Sequence, residues 1–158
     1  MPHEALATYL QDHLAGSVAA LDLLAHLTTD AADPAPVLTS LAADIQADQE
    51  TLVALMTRLQ ITPSRPRQAA AWLTAKLGEL TLRLEAGDDA ALHALDGLEA
   101  LALGIVGKEA LWQALAAVAD PTTEFGAMDY PDLIERARDQ RRQVEGLRLQ
   151  AARAALGA

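Results

Sequence analysis

The chain contains no cysteine and no asparagine, and only five aromatic side chains among 158 residues. Without cysteine there is no disulfide scaffold, no thiolate zinc site, no thiolate iron–sulfur cluster and no cysteine nucleophile. Positive charge is scarce too: 12 Lys and Arg stand against 22 Asp and Glu, a net charge of −10 with a pI near 4.6. Phosphate contacts need a basic surface, so this balance argues against a nucleic-acid binder. No uninterrupted apolar run reaches the roughly 18–20 residues of a membrane span. Met1 to Leu10 carries the acidic Glu4 and lacks the basic-then-apolar order of a signal peptide. These exclusions predict a soluble, cytoplasmic protein with neither a nucleic-acid nor a membrane partner. At this length a single domain, 1–158, buries a real core without metal or disulfide staples.

Alanine and leucine dominate what is present, and β-branched residues are sparse, which predicts an all-α chain. Proline and glycine gather into breaks at 30–36, 62–66, 86–88 and 120–131, each with an Asp or Ser placed to cap the next helix. Five helical segments remain, roughly 3–29, 35–61, 66–85, 88–119 and 130–156. Four of them run about 26–32 residues, or about 40–48 Å at the α-helical rise. Short links between the first two and between the last two predict two antiparallel hairpins. The stretch 62–87, with its own helix 66–85, is long enough to return along the bundle. The second and fourth segments then run parallel, as in a ferritin-like four-helix bundle with one long crossover. A five-helix up-and-down array is the competing topology.

The second segment carries the clearest stripe: Leu38, Leu41, Ile45, Asp48, Leu52, Leu55, Leu59. Only Asp48 in it is polar. The first segment runs through Leu10, His13, Ser17, Ala20 and Leu24, the fourth through Leu98, Ala102, Ile105, Glu109 and Trp112, and the last through Leu133, Ala137, Gln140 and Val144. Each long helix thus places a polar residue on its core face near mid-length. Folding the hairpins about residues 32 and 124 brings His13, Asp48, Glu109 and Gln140 to a common layer. Three readings of that layer stay open. It is a hydrogen-bonded network that sets register, the preferred reading. It is an atypical divalent-metal site built from His13, Asp48 and Glu109, suited to Fe, Mn or Zn. Or it borders a small-ligand pocket near Trp112. Should the fourth stripe be displaced by one residue, Lys108 takes the inner flank in place of Glu109.

The hairpin–crossover–hairpin plan, with the acidic run Asp44-Ile45-Gln46-Ala47-Asp48-Gln49-Glu50-Thr51-Leu52 in the second helix, resembles the ferritin-like superfamily, in particular its YciF-like bacterial stress-associated branch. That resemblance implies a four-helix bundle and a stress-associated role. The di-iron members need a Glu-x-x-His pair on each of two helices. Here no Glu-x-x-His occurs, and the last helix has Glu135-x-x-Arg138 and Glu145-x-x-Arg148 instead. A guanidinium stays protonated and cannot ligate a metal. A conventional di-iron centre and its oxidase chemistry are therefore not expected, and neither is any other resident cofactor.

The other histidines, His3, His26 and His93, read as solvated. Ser17 and Ser64 lack the strand–turn–helix setting of a hydrolase nucleophile. Gly16, Gly104 and Gly107 lie within helices and read as points of close helix approach, at a cost of up to about 1 kcal/mol each in helix propensity. The last segment holds half of all the basic residues, while residues 1–60 contain a single one, Arg58. This predicts docking of the last helix on the acidic first hairpin, within one chain or across a dimer, with Arg141 and Arg142 partly buried and paired. Helix 66–85 is amphipathic, with Leu73, Leu77, Leu80 and Leu84 on one face and Trp72 beside it, and is expected to pack on the bundle. A homodimer is expected on general grounds. The function predicted is that of a non-enzymatic, self-associating structural or interaction protein.

Overall fold

The computed structural model describes residues 2–30, 36–63, 90–120, 122 and 124–157. Helix 66–85, the Ser64 cap and the breaks at 31–35 and 86–88 lie outside the described residues, as does the side chain of His3. Among the described residues there are four long helices and no strand: α1 (Pro2–Asp30), α2 (Pro36–Arg58), α3 (Ala90–Val118) and α4 (Tyr130–Leu156), with a short 3₁₀ turn at Glu124–Ala127 before α4.

The helix ends follow local chemistry. Asp129 caps α4 by accepting from the Asp132 backbone N–H at 3.1 Å, and Pro131 occupies the first turn, where no N–H is needed. At the end of α2, Gln60 adopts a left-handed φ of 57°, Ile61 N–H donates to the Met56 carbonyl and Gln60 N–H to that of Thr57. That pairing satisfies two of the last carbonyls of the helix, and Pro63 follows it.

Two core clusters fix the helix directions. One gathers Leu10 of α1, Leu52, Leu55 and Met56 of α2, Leu111, Trp112 and Leu115 of α3, and Tyr130 and Leu133 of α4. The other gathers Leu23 and Leu24, Leu38 and Leu41, Leu98 and Leu101, and Val144. The start of α1 therefore lies with the ends of α2 and α3 and the start of α4. Helices α2 and α3 run in one direction and α1 and α4 in the other. In the packing, α3 lies against both α1 and α4, and α2 against α1 and, less extensively, α4.

Helix α3 is apolar around most of its circumference, as befits a helix with neighbours on two sides. By length and composition it could cross a membrane, although no run without interruption reaches that length, and a third of that stretch is buried in the bundle. Of the fourth stripe expected from the sequence, Leu98, Ile105, Glu109 and Trp112 are buried and Ala102 only partly so, and Leu101, Leu111 and Leu115 widen the buried face. His93, expected in solvent, is buried.

Candidate functional site

The polar centre forms where α2, α3 and α4 meet at mid-height. Asp48 projects from the apolar stripe of α2 and is 2% exposed. Its Oδ2 accepts from Lys108 Nζ at 2.6 Å and from Gln140 Nε2 at 3.0 Å. Lys108 also donates to Gln140 Oε1, so the three side chains close a ring of hydrogen bonds. The ring fixes the Gln140 amide, with its NH₂ toward the carboxylate and its oxygen toward the ammonium. Arg136 Nη2 lies 2.7 Å from Asp48 Oδ1, an ion pair from the side facing α4. One buried carboxylate thus holds two cations. Burial pushes the Lys108 ammonium below the ordinary lysine range, with Asp48 pulling the other way.

Glu109, one residue on, faces α4 and belongs to a different group. Arg138 Nε donates to its Oε1 at 2.8 Å, Gln113 Nε2 to the same oxygen at 3.2 Å, and Arg141 Nη1 lies 3.7 Å from Oε2. Both carboxylates of the anticipated metal triad are therefore already bound to cations. His13 stands apart from Glu109, on α1, its ring edge-to-face with Tyr9 at a centroid distance of 4.7 Å. Desolvation lowers its pKa, and the neighbouring Asp12 partly opposes this. Among the described residues no group of three or more His, Asp or Glu is placed to hold a metal ion.

His13 and Asp48 do meet at one feature, a cavity of about 350 Å³ between α1, α2 and α3. That is the lower end of the size range of ligand pockets, about 300–1,000 Å³. Its apolar wall is Ala20, Ile45, Leu52, Ile105, Leu111 and Trp112, and Asp12, His13, Ser17, Asp48, Gln49 and Lys108 supply its polar groups. Leu103, 58% exposed, also lines it. The Ser17 hydroxyl donates to the Leu14 carbonyl at 2.7 Å and accepts from Gln49 Nε2 at 2.9 Å, which ties α1 to α2 beside the cavity. The Trp112 indole N–H is buried without a partner among the described residues.

The three glycines explain why there is space. Gly16 of α1 and Gly104 and Gly107 of α3 line the cavity, and a Cβ added at any of them meets no atom within 4 Å. They do not serve close helix approach, as their position in the helices suggested. They border an opening.

Of the sequence-predicted polar layer, Asp48 and Gln140 are in direct contact, His13 shares the cavity with Asp48, and Glu109 lies in the neighbouring ion-pair group. Lys108 joins the centre from the flank that a one-residue displacement of the stripe would select. Arg136 went unanticipated, because nothing in the spacing of six arginines says which of them reaches across to α2. Arg141 and Arg142, expected to be partly buried and paired, are paired but 50% and 60% exposed, whereas Arg136 is 35% exposed. Among the described residues the basic helix meets the acidic hairpin by charge at the Arg136–Asp48 pair, beside the Gln140–Asp48 hydrogen bond; Arg138 and Arg141 bind Glu109 of α3, Arg148 binds Glu99 of α3 and Glu145, and Arg142 binds acids of α4 itself. No family model, no curated protein and no solved structure matches this chain.

Proposed function

We propose that this chain is a non-enzymatic, ferritin-like bundle protein that holds a small molecule in the cavity between α1, α2 and α3. The observation that carries the reading is the glycine-lined opening. Alanine at Gly104 or Gly107 would improve helix propensity by about 1 kcal/mol at no steric cost, so stability alone does not account for these glycines. A mostly apolar cavity with a few convergent polar groups is the usual form of a ligand site. Ser17 is engaged on both sides of its hydroxyl, which supports a binding role over nucleophilic catalysis. The antiparallel hairpins, with α2 and α3 in the same direction, support the ferritin-like kinship, and the resemblance of the acidic second helix supports a stress-associated role.

The test is calorimetric titration with compact apolar probes, octanol and benzene among them, into the wild-type chain and into Gly104→Leu/Gly107→Leu, which fills the opening. Binding to the wild type and its loss in the filled variant is the expected result. Absence of binding to the wild type overturns the reading. Elemental analysis of protein purified without chelator or metal column separates the metal alternative. Stoichiometric Fe, Mn or Zn that is lost in His13→Ala would replace a ligand cavity with a metal centre.

A second reading, self-association, rests on Leu92, Leu103 and Val106, which are exposed on one side of α3. Exposed apolar surface of this kind commonly has a partner, and closed two-fold dimers are the commonest oligomers. Light scattering across a concentration series distinguishes dimer from monomer, and Leu103→Glu shifts a dimer toward monomer.

A further inference from the structure

We propose that the molecule held in this cavity is an aldehyde with a compact apolar body, bound covalently as an imine on Lys108 Nζ; the proposal rests on the cavity being a ligand site. Three observations lead there. The first is which cation stands at the cavity. Ten of the twelve basic residues are arginine, and Lys108 is one of two lysines. Arginine is the usual cation of buried ion pairs, because its fork of donors matches a carboxylate and it stays protonated. A buried lysine, by contrast, can give up its proton and act as a nucleophile. Pairing with Asp48 alone does not call for a lysine.

The second is the setting of that amine. Lys108 lines the cavity, and its side chain is 13% exposed. Burial disfavours the ammonium and Arg136 adds to this, against the pull of Asp48 and Asp44, and the balance leaves the lysine pKa lowered. A neutral amine has two N–H groups and a lone pair. Asp48 Oδ2 and Gln140 Oε1 accept from Lys108, so both N–H groups are held and the lone pair is left for an electrophile. From α1 the cavity presents Asp12 and His13, the latter held toward its neutral form by burial.

The third is the rest of the lining. Ile45, Leu52, Leu111 and Trp112 suit an alkyl chain or a single ring. The acids of the lining are Asp12 and Asp48 against Lys108, which gives an anionic ligand no advantage and leaves an uncharged one unopposed. Hemmed in by Asp48 and Gln140, Nζ accommodates the single substituent of an aldehyde more readily than the two of a ketone.

The step needs neither oxidant nor reductant. The ammonium passes a proton to Asp48 Oδ2, its hydrogen-bond partner, and the Nζ lone pair attacks the carbonyl carbon while the C=O π pair moves onto oxygen. That oxygen takes a proton from the nitrogen. Asp48 returns its proton to the new hydroxyl, which leaves as water as the nitrogen forms the C=N bond. The products are one water and a protonated imine whose remaining N–H faces the Asp48 carboxylate. One positive charge sits on Nζ before and after.

The test is reductive trapping on the full chain. Octanal is added at pH 7 with sodium cyanoborohydride, which reduces the imine to a stable amine, and the labelled lysine is located by peptide mass mapping. Free Nα-acetyllysine in the same solution is the solvent reference, and Lys76 is the other lysine of the chain. Lys108 is expected to be labelled about tenfold faster than either, and excess octanol is expected to slow Lys108 alone. Lys108→Arg keeps a cation beside Asp48 but forms no imine; it is expected to lose the label and still to bind octanol by calorimetry, which also shows that it is folded. The wild-type comparison with and without octanol decides the assignment without the variant. Labelling of Lys108 no faster than the reference, or unaffected by octanol, overturns the aldehyde assignment; octanol binding by the wild type then leaves the cavity reading standing. Failure of the wild type to bind octanol removes both.

Discussion

The two sides of α3 are built on opposite principles. Toward α4 it is laced to its neighbour by ion pairs, Glu109 to Arg138 and Arg141 and Glu99 to Arg148, and by the hydrogen bond from Lys108 to Gln140. Toward α1 it presents Gly104 and Gly107, and across the gap α1 presents Gly16, none of which would touch a neighbour if given a Cβ. One helix therefore packs closely on one flank and leaves about 350 Å³ open on another, with Lys108 and Asp48 at the boundary. The contrast shows how a bundle of Ala and Leu acquires a cavity without a break in any helix. Side-chain volume is removed at three positions on one side, while the paired charges on the other hold the register.

The largest effect that would break this contrast is removal of its hinge. Asp48→Ala leaves Lys108 deprived of its carboxylate in a buried setting and is expected to cost about 3–5 kcal/mol, read by urea denaturation. A loss below about 1 kcal/mol would mean that the cations simply turn to water and that the centre does not hold the helices in register.

Next comes the open side. Gly104→Ala and Gly107→Ala together are expected to stabilise the chain by about 2 kcal/mol, each contributing about 1 kcal/mol of helix propensity without a clash. In a chain of this size that raises Tm by roughly 4–8 °C. A fall in Tm would show that the gap closes in solution.

A smaller effect sharpens the charged flank. Glu109→Gln is expected to cost about 1 kcal/mol or less, because Arg138 and Arg141 are close to half exposed and recover solvation when the charge is lost. Its cost should shrink further in high salt if the arginines act by charge alone. A loss comparable to that of Asp48→Ala would make the two ion-pair groups equivalent and erase the distinction drawn between them.

The smallest is a pH slope. The folded-state pKa of His13 is lowered, so between that value and the ordinary imidazole value near 6.5 the unfolded chain binds more protons than the folded one. His13 thus contributes a stability that rises with pH across that window and is lost as pH falls through it. In His13→Gln the slope of stability against pH should be flatter there than in the wild type, as measured by denaturation at a series of pH values. An unchanged slope would place the imidazole in free contact with water.

The four described helices were legible in the chain because their signals are local. A 3–4 apolar spacing, an Asp or Ser before it and a Pro or Gly after it set the bounds of each to within a few residues, and α4 is the segment 130–156 itself. Asp48, Gln140 and Glu109 were legible as core positions for the same reason, since an apolar stripe is interrupted at one place in each. The register of the hairpins was legible from turn position alone: Ser17 meets Gln49 and Lys108 meets Gln140, as folding about residues near 32 and 124 requires.

What only the tertiary structure decided is which polar groups answer one another and where atoms are missing. A stripe says that Asp48 faces inward, but its partners come from helices 60 and 92 residues away, and a rotation of one residue in α3 exchanges Lys108 for Glu109. Six arginines on α4 look alike in sequence, and only the packing of α4 beside α2 selects Arg136. A glycine within a helix reads the same whether a neighbouring helix presses against it or stands away from it. The helix axis follows from local periodicity, whereas the distance between two axes is set by every side chain along the interface at once, and it is that distance that turned Gly16, Gly104 and Gly107 from contacts into a cavity.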